Sequence, residues 1–381
     1  MRTTNRPDLT GTRAARLSGR RRAMVLGALV LASVAAVAAT EWTVETIHVG
    51  TGPAGVGFYN ALVLNPNTGA PVIAYSDNDR DDVLLAQWAA ETGWTRQVVD
   101  AGRNVANGIS VAYDESRVLA QPGISYGWGQ LKLAEWNGSR WVVSVIDKNA
   151  FNDTTSLAYY NGQPAISYHG NSGKTIALRL ARRSASGVWS IETVDKAGAG
   201  TYSSLVFDHT GQPSIAYSAD PDGDNTINQL RFAQKKGDGT WTIQQLESGI
   251  GAGVSVGLAF HPLTFHPAIV HRTSPDSVRY LWWNGGEWQR EAVAEGSSPS
   301  LAFDPIINEP VVTYAAPAYG DRLTLSRRTS IGWTAETIVA ESAEVVNPHL
   351  RFASSSSLPY VSYRVGGSTR TLRFARAAGA P

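Results

Sequence analysis

The stretch Pro213-Ser214-Ile215-Ala216-Tyr217 is one of seven copies of a short phrase: a proline, an Ile or Val two residues later and, in six copies, a tyrosine four residues later. The other copies begin at Pro71, Pro122, Pro164, Pro267, Pro310 and Pro359. Apolar residues at every second position are typical of a β-strand, and proline is tolerated at the first residue of a strand. A strand phrase that returns about every 50 residues indicates a repeat architecture.

Three further strand-like phrases accompany each proline phrase. An apolar–x–apolar phrase such as Leu205–Phe207 precedes it, and a third phrase such as Leu230–Ala233 follows it. A tight turn such as Asp238-Gly239 then leads into a tryptophan that begins a fourth phrase, as Gly-rich hairpin turns do. These tryptophans, whose fixed place favours packing between repeats, are Trp42, Trp94, Trp141, Trp189, Trp241, Trp288 and Trp333. The sequence therefore predicts an all-β fold, a seven-bladed β-propeller of four-stranded antiparallel blades.

The two ends of the repeat region predict how the ring closes. Trp42–Ile47 reads as a fourth strand without the three that should precede it, and Leu372–Ala375 reads as a third strand without a successor. We therefore expect the N-terminal strand to complete the last blade by pairing with Leu372–Ala375. Such closure removes the two exposed edges that an open array of strands would leave.

The N-terminal region has the composition of an export signal. Residues 1–22 contain seven arginines and one acidic residue, and residues 23–39 form an apolar run that ends in small residues. A basic segment, an apolar segment and a small-residue cleavage site are typical of a secretory signal. We expect a signal peptide over residues 1–38, a mature propeller over 39–381, and a secreted or extracytoplasmic location. The alternative is a membrane anchor, because the apolar run is near the lower limit for spanning.

Charge and cysteine content narrow the function classes. Removing residues 1–38 leaves 26 basic and 31 acidic residues, a formal net charge of about −5. An acidic mature chain gives no electrostatic basis for binding nucleic acid. The sequence has no cysteine, which excludes disulfides, thiolate metal sites and cysteine nucleophiles. We expect a monomer stabilised by burial and ring closure, with membrane contact only through the signal.

The order of the phrases resembles a known repeat. Trp189–Asp195, Tyr202–Asp208 and Gly211–Tyr217 are similar to the repeat Trp-x-x-Glu-Thr-Val-Asp, Ser-Leu-Ala-Leu-Asp, Gly-x-Pro-x-Ile-Ser-Tyr of bacterial secreted propellers. The resemblance covers residues 42–376 and implies a secreted or surface module. In architecture the chain is also distantly similar to sialidase-like and fucose-lectin-like propellers. Residues 238–241 are reminiscent of the sialidase Asp-box but lack its Asp-x-Gly spacing.

Ligand sites of propellers usually lie on the face that carries the loops between fourth and first strands and between second and third strands. Candidate ligand-binding residues on this face are Trp128, His169, Tyr59, Tyr202 and His271. Trp128 stands between two glycines and could stack on a sugar or pack at the rim. His271 replaces the tyrosine of the other six proline phrases, so it either packs in a differently filled blade or serves a polar function.

Carboxylates are also expected on this face. Asp100, Asp147 and Asp195 end or follow fourth strands, and the loop over residues 220–225 has aspartate at alternate positions. Alternating carboxylates suit Ca²⁺, although this loop lacks the glycine and the distal glutamate of an EF-hand. Asp, Asn and Gly are equally typical of solvated turns. Asp220, Asp222 and Asp224 are therefore weak candidate Ca²⁺ ligands, and we expect no cofactor.

The sequence assigns no catalytic residue. It contains no His-Glu-x-x-His or phosphate-cradling motif. We interpret the protein as an exported, non-catalytic binding module that recognises a glycan or a protein partner on its loop face. One alternative is a glycosidase- or lyase-like enzyme that uses two carboxylates of the central channel, about 5–10 Å apart. The other is a purely structural module.

Overall fold

The structure is a computed structural model that describes residues 40–102, 107–116, 119–173, 175–196 and 198–379. The predicted signal peptide, residues 1–38, lies outside the described residues, so its assignment stays a prediction. The described chain folds into seven four-stranded antiparallel sheets, which confirms the predicted seven-bladed β-propeller. It contains no helix of the length and apolar character needed to cross a membrane.

Each blade begins with an inner strand, followed by a second strand that starts at or beside the repeated proline. The inner strands of blades 1 to 7 are β2 (Val56–Leu64), β6 (Ser110–Tyr113), β10 (Ala150–Tyr160), β14 (Ser203–Phe207), β18 (Val254–Phe260), β22 (Ser297–Phe303) and β26 (Val345–Phe352). The second strands are β3 (Pro71–Asp77), β7 (Pro122–Tyr126), β11 (Gln163–Ser172), β15 (Pro213–Ala219), β19 (Pro267–Thr273), β23 (Pro310–Ala316) and β27 (Pro359–Val365).

The third and fourth strands complete each blade toward the outside of the ring. The third strands are β4 (Asp82–Ala89), β8 (Leu131–Trp136), β12 (Thr175–Arg183), β16 (Gln229–Lys235), β20 (Ser277–Trp283), β24 (Arg322–Thr329) and β28 (Thr371–Ala377). The outer strands are β5 (Gly93–Ala101), β9 (Trp141–Asp147), β13 (Trp189–Asp195), β17 (Trp241–Ser248), β21 (Trp288–Glu295), β25 (Gly332–Ala340) and, in blade 7, β1 (Trp42–Val49).

The two most regular phrases set the register of every blade. The apolar residue of the first phrase pairs with the Ile or Val of the proline phrase, as Leu205 does with Ile215 and Leu350 with Val361. Both members of such a pair are buried, because alternate residues of both strands face the neighbouring blade. The seven sheets therefore stack in the same way around the ring, and the same sequence position reaches the same place in each blade.

The ring closes across the chain ends as the sequence predicts. β1 pairs with β28 from Trp42 opposite Ala377 to Val49 opposite Thr371. Near the axis, Asn60 Nδ2 of blade 1 donates to the Asn347 carbonyl of blade 7 at 3.0 Å, and Asn347 Nδ2 donates to the Phe58 carbonyl at 2.6 Å. Each inner strand thus contacts the inner strands of both neighbouring blades, so the ring has no open side.

A buried carboxylate joins most neighbouring blades. At the junction of blades 2 and 3, Asp147 accepts hydrogen bonds from Tyr168 Oη at 2.6 Å and from Arg179 Nη1 at 2.8 Å. Burial, together with the bond to Asp147, raises the pKa of Tyr168, so its hydroxyl is a neutral donor. The same position is acidic and paired with the next blade at three other junctions, through Asp100, Asp195 and Glu247. Between blades 6 and 7 this position is Val339, and Glu341, two residues later, pairs with Arg373 of the next blade instead. The aspartates that the sequence analysis assigned to the ligand face therefore join blades instead.

At the two remaining junctions, the two positions that carry the carboxylate and its cation elsewhere are both occupied by other residues. His48 takes the acidic position beside Tyr75, and the residue opposite Tyr75 is Leu84. Between blades 5 and 6, Ala294 takes the acidic position and Thr324 lies opposite Tyr314. At the five acidic junctions the corresponding residue is always a cation: Lys132, Arg179, Arg231, Arg279 and Arg373. At this position, the positive side chain is thus present only at the junctions that have the carboxylate.

The repeated tryptophans also pack between blades, as their fixed place predicts. Trp94 of blade 1 meets Phe374 of blade 7 edge-on, with 5.0 Å between ring centroids. Trp288 of blade 5 meets Phe232 of blade 4 in the same manner, at 5.3 Å. These contacts hold the outer halves of adjacent blades together.

Candidate functional site

A cavity of about 610 Å³ lies on the ring axis, and residues from the inner strands of all seven blades line it. Each inner strand contributes one residue to the register pairs described above, such as Leu205. The residues three positions before it, one position before it and one position after it face the channel, and they form three rings of seven residues. We call them the upper, middle and lower rings. The upper ring is at the ends of the inner strands nearest the loop face that the sequence analysis singled out.

The upper ring carries the aromatic and polar side chains of the cavity mouth. Its members are Tyr59, Gly108, Thr154, Tyr202, Ser255, Ser298 and Asn347. Ser255, Ser298 and Asn347 have φ values of 52°, 51° and 49°, and each lies where the strand register shifts. A bulge with one residue in the left-handed region turns a side chain away from its ordinary direction. In blades 5 to 7 the bulges therefore give the channel its polar lining.

The middle ring is rich in serine, and these serines connect the blades. Its members are Ala61, Ser110, Ser156, Ser204, Gly257, Ser300 and His349. Each serine hydroxyl accepts a hydrogen bond from a backbone N–H of the next blade, for example Ser156 Oγ from Leu205 N at 2.9 Å and Ser300 Oγ from Leu350 N at 3.1 Å. The hydroxyls satisfy amides that face the channel, where no further strand can pair with them.

The lower ring has one charged member. Its residues are Val63, Ala112, Ala158, Val206, Ala259, Ala302 and Arg351. Of these seven, Arg351 alone lines the cavity, because its side chain is long enough to reach up from the ring. Its Nη1 donates to the Leu350 carbonyl at 2.7 Å. Burial lowers the pKa of the guanidinium, and none of the described carboxylates forms an ion pair with it.

His349 lies one ring above Arg351. Burial, and after it the charge of Arg351, lowers the pKa of His349 from 6.5 to about 3. The imidazole of His349 is therefore neutral at pH 7, and Arg351 is the cation at the lower-ring end of the cavity. The unfolded chain binds a proton at this histidine near pH 6.5, whereas the folded chain does so only near pH 3. The stability associated with a neutral His349 is complete above about pH 6.5 and is lost as the pH falls toward 3.

Replacement of His349 by serine, the residue at the same position in four other blades, is expected to reduce acid sensitivity. For the wild type, the linkage predicts a loss of about 2 kcal/mol of unfolding free energy between pH 7 and pH 5. Urea unfolding at the two pH values measures this loss, which should be smaller in His349→Ser. The variant His209→Ser, at an exposed position, is the control and should behave like the wild type. An equal loss in His349→Ser and wild type would contradict the assignment.

The structure brings two of the five sequence-predicted site residues together and leaves three elsewhere. Tyr59 and Tyr202 both line the cavity from blades 1 and 4. Trp128 is 54% exposed in the loop between β7 and β8, and His169 is buried on β11 with its ring 5.5 Å from that of Phe151. These two residues and His271 are outside the cavity lining.

His271 is fully buried at the junction of blades 4 and 5. Its Nε2 lies 3.1 Å from Glu247 Oε2, and its Nδ1 accepts from the Gly253 N–H at 3.1 Å. Nδ1 also lies 3.0 Å from the Arg272 carbonyl oxygen. Burial raises the pKa of Glu247, but the bond to His271 and the charges of His271 and Arg279 lower it more. His271 therefore contacts the acidic residue of the preceding blade, as tyrosine does at other junctions.

The change His271→Tyr is expected to destabilise the protein, although it restores the repeated phrase. Considered as a consensus change alone, it should stabilise by about 0.5–2 kcal/mol. The structure predicts the opposite sign, because tyrosine offers no acceptor at the position of Nδ1 and leaves the buried Gly253 N–H unpaired, at a cost of about 1–3 kcal/mol. Chemical denaturation measures the difference. A more stable His271→Tyr would show that Gly253 finds another partner.

The acidic loop brings its three aspartates within 4.8 Å of one another. Asp220 accepts hydrogen bonds from the N–H groups of Gly223 and Asn225, and Asp222 Oδ2 accepts one from Asn228 Nδ2 at 2.9 Å. Burial, then the proximity of Asp222, raises the pKa of Asp220. These local bonds account for the shape of the loop as a turn, so the arrangement does not distinguish a Ca²⁺ site from a turn.

His349 and Arg351 were not among the residues singled out from the sequence. The signal that could have found them is the one that identified His271, a break in the internal repeat. In six first phrases the residue after the register position is Ala or Val, and in the seventh it is Arg351. The residue before it is Ala, Ser or Gly in six phrases and His349 in the seventh. Blade 7 is therefore the blade that departs from the others at the channel.

Comparisons with known proteins show the fold. No protein-family model matches the chain, and no curated protein matches it in sequence. Among solved structures, Aleuria aurantia lectin in complex with α-methyl-L-fucoside is 14% identical over 76% of this chain and 96% of its own, with a TM-score of 0.51. Another structure of this lectin describes it as six-bladed.

Two further solved structures match the chain. A chain of the mitotic checkpoint complex is 15% identical, covers 98% of both chains and has a TM-score of 0.53. Trypanosoma rangeli sialidase in complex with sialic acid is 13% identical over 77% of this chain and 56% of its own, with a TM-score of 0.45. At these identities the similarity is one of fold: this chain resembles the lectin propeller in architecture.

Proposed function

We propose that the protein is an exported, non-catalytic binding module that takes a glycan into its central channel. The observation that supports this most is the cavity of about 610 Å³, which has Tyr59 and Tyr202 at its mouth and hydroxyl groups below them. Ligand pockets typically have volumes of about 300–1,000 Å³ and combine aromatic surface with a few convergent polar groups. The cavity meets both criteria.

The lining fits a sugar better than a purely apolar ligand. Three serines and one threonine of the upper and middle rings line the cavity together with the two tyrosines: Thr154, Ser204, Ser255 and Ser298. Hydroxyl groups both donate and accept hydrogen bonds, as the hydroxyls of a sugar do, and an aromatic face covers the apolar face of a sugar ring. The fucoside complex of the structurally similar lectin shows that a propeller can serve as a scaffold for glycan binding.

The enzyme alternative has less support from the geometry. Hydrolysis of a glycosidic bond by the usual route needs two carboxylates on either side of the bond. Glu344 is the one carboxylate among the described residues that line the cavity. The carboxylates of Asp100, Asp147 and Asp195 pair with cations between blades. The residues present therefore favour binding over hydrolysis.

A glycan array probed with the mature protein tests the proposal, with two variants to locate the site. Tyr59→Ser and Tyr202→Ser place in the upper ring the residue that blades 5 and 6 already have there, so both should fold. We expect the double variant to lose at least about tenfold in affinity, equivalent to about 1.4 kcal/mol. Trp128→Ala, on the exposed loop, is the control. Binding that Trp128→Ala abolishes and the double variant retains would move the site out of the channel.

Export is part of the same proposal. The seven arginines and the apolar run of residues 1–39 support cleavage before the propeller, with a mature chain that begins near Ala39 or Thr40. N-terminal sequencing of material from the culture medium measures this directly. Exported protein that still begins at Met1 or Arg2 would contradict cleavage.

A further inference from the structure

The charge of Arg351 has no structural counterpart in the described chain. At five blade junctions the buried cation meets a carboxylate, as Arg179 meets Asp147 at 2.8 Å. Arg351 has the Leu350 carbonyl as its hydrogen-bond acceptor and the neutral His349 beside it. Arg351 is half-buried, and a guanidinium carries five N–H donors. A partly buried charge without a counter-charge gains no ion pair to offset its lost hydration.

The fold does not require arginine at this position. The other six lower-ring residues are Ala in four blades and Val in two. All seven inner strands have the same register, so alanine at residue 351 would complete the ring without rearrangement. A charged residue that the scaffold does not need and does not pair is a candidate for ligand binding.

The position of Arg351 in the cavity indicates how a ligand would meet it. The upper and lower rings are four residues apart on β26, which is roughly 13 Å along a strand. Arg351 lies at the lower-ring end of this space, and Tyr59, Tyr202 and the exposed Tyr319 are at the other end. A volume of about 610 Å³ equals that of roughly 20 water molecules. A bare inorganic anion on Arg351 would leave most of it to solvent.

We infer that Arg351 binds the carboxylate of an acidic sugar whose hydroxyls and ring occupy the cavity above it. This inference rests on the proposed function and specifies its ligand class, a glycan with a uronic-acid-type residue. The planar guanidinium matches a carboxylate with two parallel hydrogen bonds, which a lysine ammonium does not reproduce. The middle and upper rings offer the serine, threonine and His349 groups that hydrogen-bond sugar hydroxyls.

The test compares acidic and neutral sugars of the same shape on three forms of the protein. Calorimetric titrations with D-glucuronate and D-galacturonate, and with D-glucose and D-galactose, are made on wild type, Arg351→Ala and Arg140→Ala. Arg140 is exposed in the β8–β9 turn, so its variant matches the change in net charge. We expect the wild type and Arg140→Ala to prefer an acidic sugar at least tenfold, and Arg351→Ala to lose the preference. Arg351→Lys should retain less than half of it on a logarithmic scale.

The outcomes separate this inference from the proposed function. Equal binding of acidic and neutral sugars by the wild type overturns the role of Arg351 and leaves glycan binding intact. A preference that survives in Arg351→Ala also overturns it. Sulfate that binds through Arg351 and excludes every sugar would show an inorganic anion site and overturn both. A melting temperature of Arg351→Ala at or above that of the wild type would show that lost binding is not lost folding.

Discussion

Deletion of the closing strand, residues 42–49, is expected to lower the free energy of unfolding by at least about 5 kcal/mol and to cause self-association. β1 covers the outer edge of blade 7 by pairing along the whole of β28. Without it, the backbone groups of β28 are unpaired, and Leu372 and Phe374 lose the contact with Ile47. Five kcal/mol corresponds to the burial of two or three large apolar side chains. The melting temperature should fall by about 7 °C or more, with a rise in light scattering.

Point variants on the same strand provide the matched comparison. Ile47 is 7% exposed, and Ile47→Ala should cost about 2–4 kcal/mol through lost burial and the cavity it leaves. Val49 is 46% exposed on the same strand, and Val49→Ala should change stability by less than about 0.5 kcal/mol. If the deletion unfolded within two degrees of the parent, the N-terminal strand would not be what closes the ring.

The fold could be predicted from the sequence because its repeats carry redundant information. The proline phrase, the apolar phrase before it and the tryptophan after it each recur seven times, so an error in one repeat is corrected by the others. Trp42–Ile47 and Leu372–Ala375 could be matched as the halves of one blade because each is a recognisable phrase without its neighbours. Local pattern and global fold agree here at every blade.

The candidate site was only partly predictable. Tyr59 and Tyr202 were found because they precede first strands, which fixes their place at the channel mouth. Trp128 and His169 follow second strands, and the same loop-face argument does not determine how far from the axis they lie. Arg351 was not predicted because it lies within a strand. A period-two pattern predicts on which face of the strand a side chain lies, but not whether that face borders a packed core or a cavity.

The blade junctions show what a single chain can reveal once its register is known. The sequence predicts Asp100, Asp147 and Asp195 as carboxylates of the ligand face. Their structural role is hidden in the sequence because the tyrosine and the cation that contact each of them are far from it along the chain. The structure pairs each with a cation of the next blade. At the junctions with His48 and Ala294, where the carboxylate is missing, the cation is missing too. This covariation within one sequence predicts an energetic coupling between the two positions.

Asp147→Ala is accordingly expected to destabilise the protein by about 3 kcal/mol, or about 4 °C in melting temperature. Asp147 is 6% exposed and accepts from both Tyr168 and Arg179, so its loss leaves a largely buried guanidinium without its counter-charge. The double variant Asp147→Ala/Arg179→Thr copies the junction of blades 5 and 6, where Ala294 and Thr324 are the natural residues. We expect it to recover at least half of the loss, because the unpaired charge is removed as well.

The double-mutant cycle is completed by Arg179→Thr, which leaves Asp147 buried with Tyr168 as its hydrogen-bond donor. The double variant should therefore be more stable than the sum of the two single effects predicts, with a coupling energy of about 1–3 kcal/mol. Ala294→Gly, at a junction that has no charge pair, is the control and should show no coupling with Arg179→Thr. Additive effects of Asp147→Ala and Arg179→Thr would mean that the two residues stabilise their blades separately. The repeated carboxylate would then stabilise the junction through its hydrogen bond with the tyrosine. Asp147→Ala removes that bond, whereas Arg179→Thr leaves it in place.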